Sequence, residues 1–131
     1  MHTQVAIDEF SQHLTDVFRL FGPITLRRMF AGYGVFRDGI MFGLVYEETL
    51  YLKVDAENIA NFRDQGLRQF EYVRQGKMIG LSYYQAPEAV LEDINEATLW
   101  GRRSFEAALR ADVSKTKAKA VRSRRRHSAE N

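Results

Sequence analysis

The stretch TLRRMFAGYGVFRDGIMFGLVYEETLYLKV, residues 25–54, decides the fold of this chain. It mixes β-branched and aromatic residues with glycines and acidic pairs, a pattern typical of short strands joined by tight turns. Asp38-Gly39 predicts a hairpin turn because this pair tolerates positive φ, and Glu47-Glu48 predicts a second turn. Connections this short favour antiparallel neighbours. The predicted strands are residues 26–30, 33–36, 40–46 and 49–54.

A helix is predicted before these strands, over about residues 4–21, where apolar residues recur at spacings of three and four. Gly22 and Pro23 end it, since glycine accepts a left-handed cap and proline cannot continue the hydrogen-bond ladder. The apolar positions are Ile7, Phe10, Leu14, Val17, Phe18 and Phe21.

The second half of the chain repeats the alternation of helix and strand. Asp55 predicts the cap of a short helix that ends before Gly66, and residues 70–74 and 77–84 predict a hairpin around Gln75-Gly76. Pro87 starts a short helical turn, and Asp93 with Glu96 resembles a capping box that opens a last helix over about 94–111. The order predicts a two-layer α+β sandwich, α-β(3 or 4)-α-β(2)-α, with a mainly antiparallel sheet.

Length and composition restrict the classes of protein that this chain can belong to. With 131 residues, 45% of them hydrophobic, we expect one domain over residues 1–111 followed by a short tail over 112–131. The absence of cysteine excludes disulfides, thiolate catalysis and cysteine-ligated zinc. No signal peptide and no apolar run of membrane-spanning length is visible, so we expect a cytoplasmic protein without a membrane partner.

The tail carries most of the positive charge. Seven basic residues against Asp112 and Glu130 give residues 112–131 a net charge of +5, which leaves −3 for the rest of the chain of net charge +2. One interpretation is a disordered, solubilising terminus, and the other is nonspecific binding of DNA or RNA phosphates. The basic residues are Lys115, Lys117, Lys119, Arg122, Arg124, Arg125 and Arg126.

Several separated motifs resemble the N-terminal domain of the TfoX/Sxy family, and they occur in the right order over roughly residues 10–110. They are residues 27–36 (RRMFAGYGVF), 38–42 (DGIMF), 50–55 (LYLKVD) and 78–87 (MIGLSYYQAP), together with Asp93 and Trp100. One departure is Ala31, which stands where glycine is common in the family.

The resemblance implies a fold like that of secretion chaperones and a link to the transcription of natural-competence genes, where full-length relatives act with the cyclic-AMP receptor protein. It therefore implies a non-catalytic module that works through a transcription-related protein partner. Full-length relatives carry a second, helical domain, whereas a basic segment of about 20 residues follows the matching part here. We accordingly expect a stand-alone N-terminal domain.

Nothing in the sequence predicts a catalytic, cofactor or metal site. His2, His13 and His127 lack ligand spacing, and His13 is expected to be a solvated surface residue. Gly32-Tyr33-Gly34 lacks the third glycine and the Lys-Ser/Thr of nucleotide-binding loops, which favours a bulge or a close backbone approach. The pairs Asp8-Glu9, Glu47-Glu48 and Glu92-Asp93 sit at caps and turns, and Ser82 has no nucleophile motif. A small enzyme or ligand carrier is the remaining alternative.

Five residues are candidates for binding a partner: Arg27, Arg28, Tyr33, Tyr83 and Tyr84. Adjacent residues of a strand face opposite sides, so one arginine is expected to pair with an acidic group and the other to meet solvent or a partner. The tyrosines fit core packing or an exposed sheet face suited to stacking or homodimerisation.

Overall fold

The computed structural model describes the backbone of residues 2–29, 32–74 and 77–130 and the side chains of 9–29, 32–71 and 82–122. Its elements are α1 (His2–Val17), β1 (Thr25–Met29), β2 (Gly32–Arg37), β3 (Ile40–Tyr46), β4 (Thr49–Lys53), α2 (Ile59–Arg63), β5 (Gln69–Arg74), β6 (Lys77–Gln85), α3 (Ala89–Glu92) and α4 (Ile94–Glu130). Phe30, Ala31 and the predicted Gln75-Gly76 turn lie outside the described residues.

The strands form one six-stranded sheet in the order β1-β2-β3-β4-β6-β5, and every neighbouring pair is antiparallel. The α+β prediction is confirmed in its four-strand version, with α3 as an additional short helix before α4. Both predicted turns are present, because Asp38, Gly39, Glu47 and Glu48 all have positive φ.

Alternation along β4 separates the two faces of the sheet. Leu50 and Leu52 are buried in the main core beneath the helices, while Tyr51 and Lys53 point to the opposite face. The core also holds a cluster of aromatic rings that joins the turns after α1 to β3 and α4. It consists of Phe18, Phe21, Phe42 and Phe105, with ring centroids 5.1–6.2 Å apart in tilted or edge-to-face contacts.

Gly32 confirms the prediction of a close backbone approach, whereas the bulge in this part of the sheet lies at Phe42 of β3 and not at Gly32-Tyr33-Gly34. Val35 pairs with Gly43 but Phe36 pairs with Met41, so Phe42 is the extra residue of a bulge and turns its ring into the core. A Cβ on Gly32 would lie 1.8 Å from the carbonyl oxygen of Val45. Only glycine therefore fits at this crossing of backbones.

The first two helices differ from their predicted bounds. α1 ends at Val17, and residues 18–21 form turns from which Phe18 and Phe21 still pack into the core. Asp55 caps the turn before α2 and not the helix itself, since the Glu57 backbone N–H donates to Asp55 Oδ1 at 3.0 Å and α2 starts at Ile59.

The last helix is longer than predicted. α4 begins after its Asp93 cap, where the Asn95 N–H donates to Asp93 Oδ1 at 2.8 Å, and it continues to Glu130 instead of ending near residue 111. The predicted end of the last helix near residue 111 is therefore wrong. Residues 112–130 contain no glycine or proline and are rich in Ala, Lys and Arg, which have high helix propensity. We call residues 112–130 of α4 the basic extension.

Candidate interaction surfaces

β1 lies at one edge of the sheet and carries two exposed arginines. The Arg27 guanidinium lies over the Phe36 ring at 5.2 Å, and that of Arg28 lies over the Tyr33 ring at 5.9 Å. Over the described side chains, neither arginine has a carboxylate within ion-pair distance. The expected internal ion pair is therefore not formed with any of the side chains that the structure describes. Both guanidinium groups are held in place by aromatic rings, with their donors available.

Tyr33 is half-buried and lines a small cleft between α1 and the sheet. The cleft has a volume of about 170 Å³, and its walls include Phe10, Val45 and the Glu47-Glu48 turn. Apolar rings thus meet an acidic rim, close to the backbone crossing at Gly32. This surface is small, and it adjoins the side of β2 on which Arg28 stacks.

The two late tyrosines have different surroundings. Tyr84 is buried, its ring lies 6.0 Å from that of Phe62, and its hydroxyl accepts a hydrogen bond from Arg63 Nε at 3.4 Å. Tyr84 therefore packs in the core and presents no exposed aromatic surface for binding a partner. Tyr83 faces the opposite side of β6, where burial raises the pKa of its hydroxyl to about 12. The ammonium of Lys53 lies 5.2 Å from the Tyr83 ring.

The predicted basic residues are presented by the basic extension. Lys115, Lys117, Lys119 and Arg122 are all exposed, as are the other side chains described between 112 and 122 except that of Ala120. The side chains of Arg124, Arg125 and Arg126 lie outside the described residues. These four cations lie on the part of α4 that extends beyond the domain.

A charged cluster that the sequence did not predict links α4 to the segment before α2, just before the basic extension begins. Arg110 donates from Nε to Asp55 Oδ2 at 2.6 Å and from its terminal nitrogen to Oδ1 at 3.0 Å. Glu57 Oε2 lies 2.7 Å from the same Nε. The hydrogen bond from Arg110 is the main cause that lowers the pKa of Asp55 and raises that of Arg110. Arg110 and Asp55 are 55 residues apart along the chain, so no local sequence pattern predicts their contact.

Some of the residues considered for catalysis, namely His13, Glu47, Glu48 and Asp93, have structural partners or structural positions. His13 is exposed as expected, but its Nε2 lies 2.6 Å from the carbonyl oxygen of Leu91 and so ties α1 to α3. Glu47 and Glu48 occupy a turn, and Asp93 caps α4. Among the side chains that the structure describes, no group of three His, Asp or Glu residues converges as metal ligands would.

Comparison with known proteins decides the family. The model of the TfoX N-terminal domain matches residues 16–108, from the end of α1 through all six strands and into α4. The chain belongs to the TfoX N-terminal domain family. The matched region includes Arg27, Arg28 and Tyr33 and stops before the basic extension.

One curated relative of this TfoX-type domain is the DNA transformation protein TfoX1 of Aliivibrio fischeri (strain ATCC 700601 / ES114). It is 25% identical over 85 residues, which cover 65% of this chain and 41% of the relative. The chain therefore spans well under half the length of that relative. Over the residues described, none of the helices is both long and apolar enough to cross a membrane.

Proposed function

We propose that this protein is a non-catalytic interaction module that acts in competence-associated regulation by binding a protein partner at the β1 edge. Family membership and the name of the relative, a DNA transformation protein, support the process. The observation that carries the binding surface is the pair of exposed, aromatic-stacked arginines without a described carboxylate partner.

The chemistry of this edge favours an acidic, extended segment of the partner. β1 pairs with β2 on one side, so its other side has backbone groups that an added strand can bind. Arg27 and Arg28 lie on opposite faces of β1, so they can grip carboxylates on both sides of such a strand. Because the arginines already stack on Phe36 and Tyr33, they lose less side-chain conformational entropy when a partner binds.

A pull-down from the native cell extract at mild salt tests this proposal. The bait is the full chain, compared with the double variant R27E/R28E and with R19E, which reverses one exposed charge in the turn after α1. We expect the wild type and R19E to recover a transcription-related protein that R27E/R28E loses. Recovery of no such protein by the wild type, or equal recovery by all three baits, would contradict the proposal.

A second candidate function is nonspecific nucleic-acid binding through the basic extension. The exposed cations on α4 beyond residue 111 support this candidate, since residues 112–131 carry a net charge of +5 that can contact phosphates. Fluorescence anisotropy with labelled duplex DNA, over a salt series, compares the full chain with a chain ending at Ala111. Steep, salt-dependent binding that disappears on truncation supports the candidate, and equal binding by both chains contradicts it.

A further inference from the structure

We propose that a groove between α4 and the end of the sheet, with Lys53 and Lys115 on its walls, binds a backbone phosphate of nucleic acid. This inference rests on the second candidate function and deepens it. It makes the folded domain, and not only the basic extension, a part of the nucleic-acid contact.

The groove consists of two adjoining cavities of about 290 and 270 Å³, which share Lys53 and Ala111. The larger cavity lies between the β2–β3 turn, Tyr83 and the stretch of α4 from Ala108 to Lys115. The smaller one continues along α4 and is lined in part by Ser82 and Ser114. Lys53 therefore sits between an apolar wall and two hydroxyl groups that can donate to a phosphate.

Lys53 carries a positive charge that has no described counter-ion. Its side chain is half-buried, and its ammonium rests against the Tyr83 ring. Burial first, and then the positive charge of Lys115, lower the pKa of Lys53, while Asp55 opposes this effect. Both Asp55 oxygens are already held by Arg110, and Asp112, which also lines the groove, lies within ion-pair distance of no described cation. An incoming anion would therefore relieve the repulsion between the two lysines.

The groove continues into a row of cations on α4. Lys115, Lys119 and Arg122 are spaced by four and three residues, which places them on one face of the helix, about 6 Å and 4.5 Å apart along its axis. Lys117 is equally exposed but lies on another face, and it does not line either cavity. A nucleic-acid strand that follows the row of cations thus reaches Lys53 at its inner end.

The test is fluorescence anisotropy of the full chain with a labelled duplex of mixed sequence, from 50 to 200 mM salt. K53Q is compared with K117Q, which removes the same charge outside the groove, and with K53Q/K115Q. We expect K53Q to weaken binding about five- to ten-fold and to reduce the salt slope by about one, as the loss of one phosphate contact predicts. K117Q should weaken binding by at most about two-fold.

Thermal melting of K53Q checks that the fold is intact, and Tm is expected to stay equal or rise because a partly desolvated charge is removed. If the wild type fails to bind DNA, the nucleic-acid function itself is wrong. If the wild type binds and K53Q equals K117Q, the extension acts alone and only the groove is wrong.

A second arm tests free phosphates as the source of the ligand. Inorganic pyrophosphate is added to the full chain and to K115Q while the Lys53 side-chain NMR signals are recorded. A backbone phosphate is supported if pyrophosphate shifts the Lys53 signals only weakly and does not saturate them below millimolar concentration, while K53Q still weakens DNA binding. Saturation at micromolar pyrophosphate that K115Q abolishes, without a K53Q effect on DNA, would identify a small phosphorylated ligand and overturn the proposal.

Discussion

Arg110 links two segments that are far apart in sequence, and its contribution depends on pH. Its bonds to Asp55 lower the pKa of that carboxyl, so the pair stabilises the fold above the unfolded-state pKa near 3.8 and loses this effect as pH falls through the folded-state value. Because Arg110 is 38% exposed, solvent screens the pair. We expect R110A to lower the free energy of unfolding by about 1 kcal/mol at pH 7.

Urea unfolding at pH 7 and at pH 2.5 measures this effect. The difference between wild type and R110A should shrink at the lower pH, whereas R102A, at an exposed site of the same helix, should change stability little at either pH. A difference of the same size at both pH values would mean that Arg110 stabilises by packing of its alkyl chain and not through Asp55.

Ser104 places a hydroxyl in the core without any described hydrogen-bond partner. Burying such a group costs free energy, and alanine has the higher helix propensity, so S104A should raise the free energy of unfolding by about 0.5–1 kcal/mol. Chemical denaturation measures the change. T98A serves as a comparison, since the Thr98 hydroxyl donates to the Ile94 carbonyl at 2.8 Å. Destabilisation by S104A would show that the hydroxyl has a partner, such as a buried water.

At the scale of an element, the β3–β4 turn has a backbone conformation that is unfavourable for its two glutamates. Glu47 and Glu48 have φ of 50° and 57°, a conformation that glycine adopts at lower cost. E48G should therefore stabilise the protein by about 1 kcal/mol.

The β2–β3 turn provides the opposite change, because Gly39 has φ of 77° and open space around it. G39A should destabilise by about 1 kcal/mol through backbone strain alone, and both changes are measured by thermal melting. Loss of stability in E48G would indicate that the glutamate side chains hold the hairpin.

The same hairpins show what local sequence can predict. Ile40–Tyr46 was predicted at its observed bounds, because Asp38-Gly39 and Glu47-Glu48 mark both ends of β3. Long-range features were not accessible in this way. The Arg110–Asp55 bond, the His13 contact with Leu91 and the burial of Tyr84 depend on which elements pack together. α4 extends beyond its predicted end because the amphipathic pattern stops near residue 111, whereas the high helix propensity continues to Glu130.

The whole molecule combines an acidic body with a basic projection. The domain carries a net charge of −3, while residues 112–131 carry +5. The apolar face of α4 packs on the sheet through Ala97, Trp100 and Ala108, but the described side chains from 112 to 122 are exposed apart from Ala120. Tertiary packing therefore stabilises the first half of α4, and the basic extension depends on its own helix propensity.

This division predicts that the helicity of the basic extension increases with salt. Lys115 and Lys119, and then Lys119 and Arg122, repel one another at close spacing along the helix, and salt screens this repulsion. Salt from 10 to 300 mM should thus raise the circular-dichroism difference at 222 nm between the full chain and one ending at Ala111. The variant K115Q/K119Q/R122Q should be more helical at low salt and respond less. A difference that falls with salt would mean that attraction to the acidic body, and not helix propensity, keeps the extension helical.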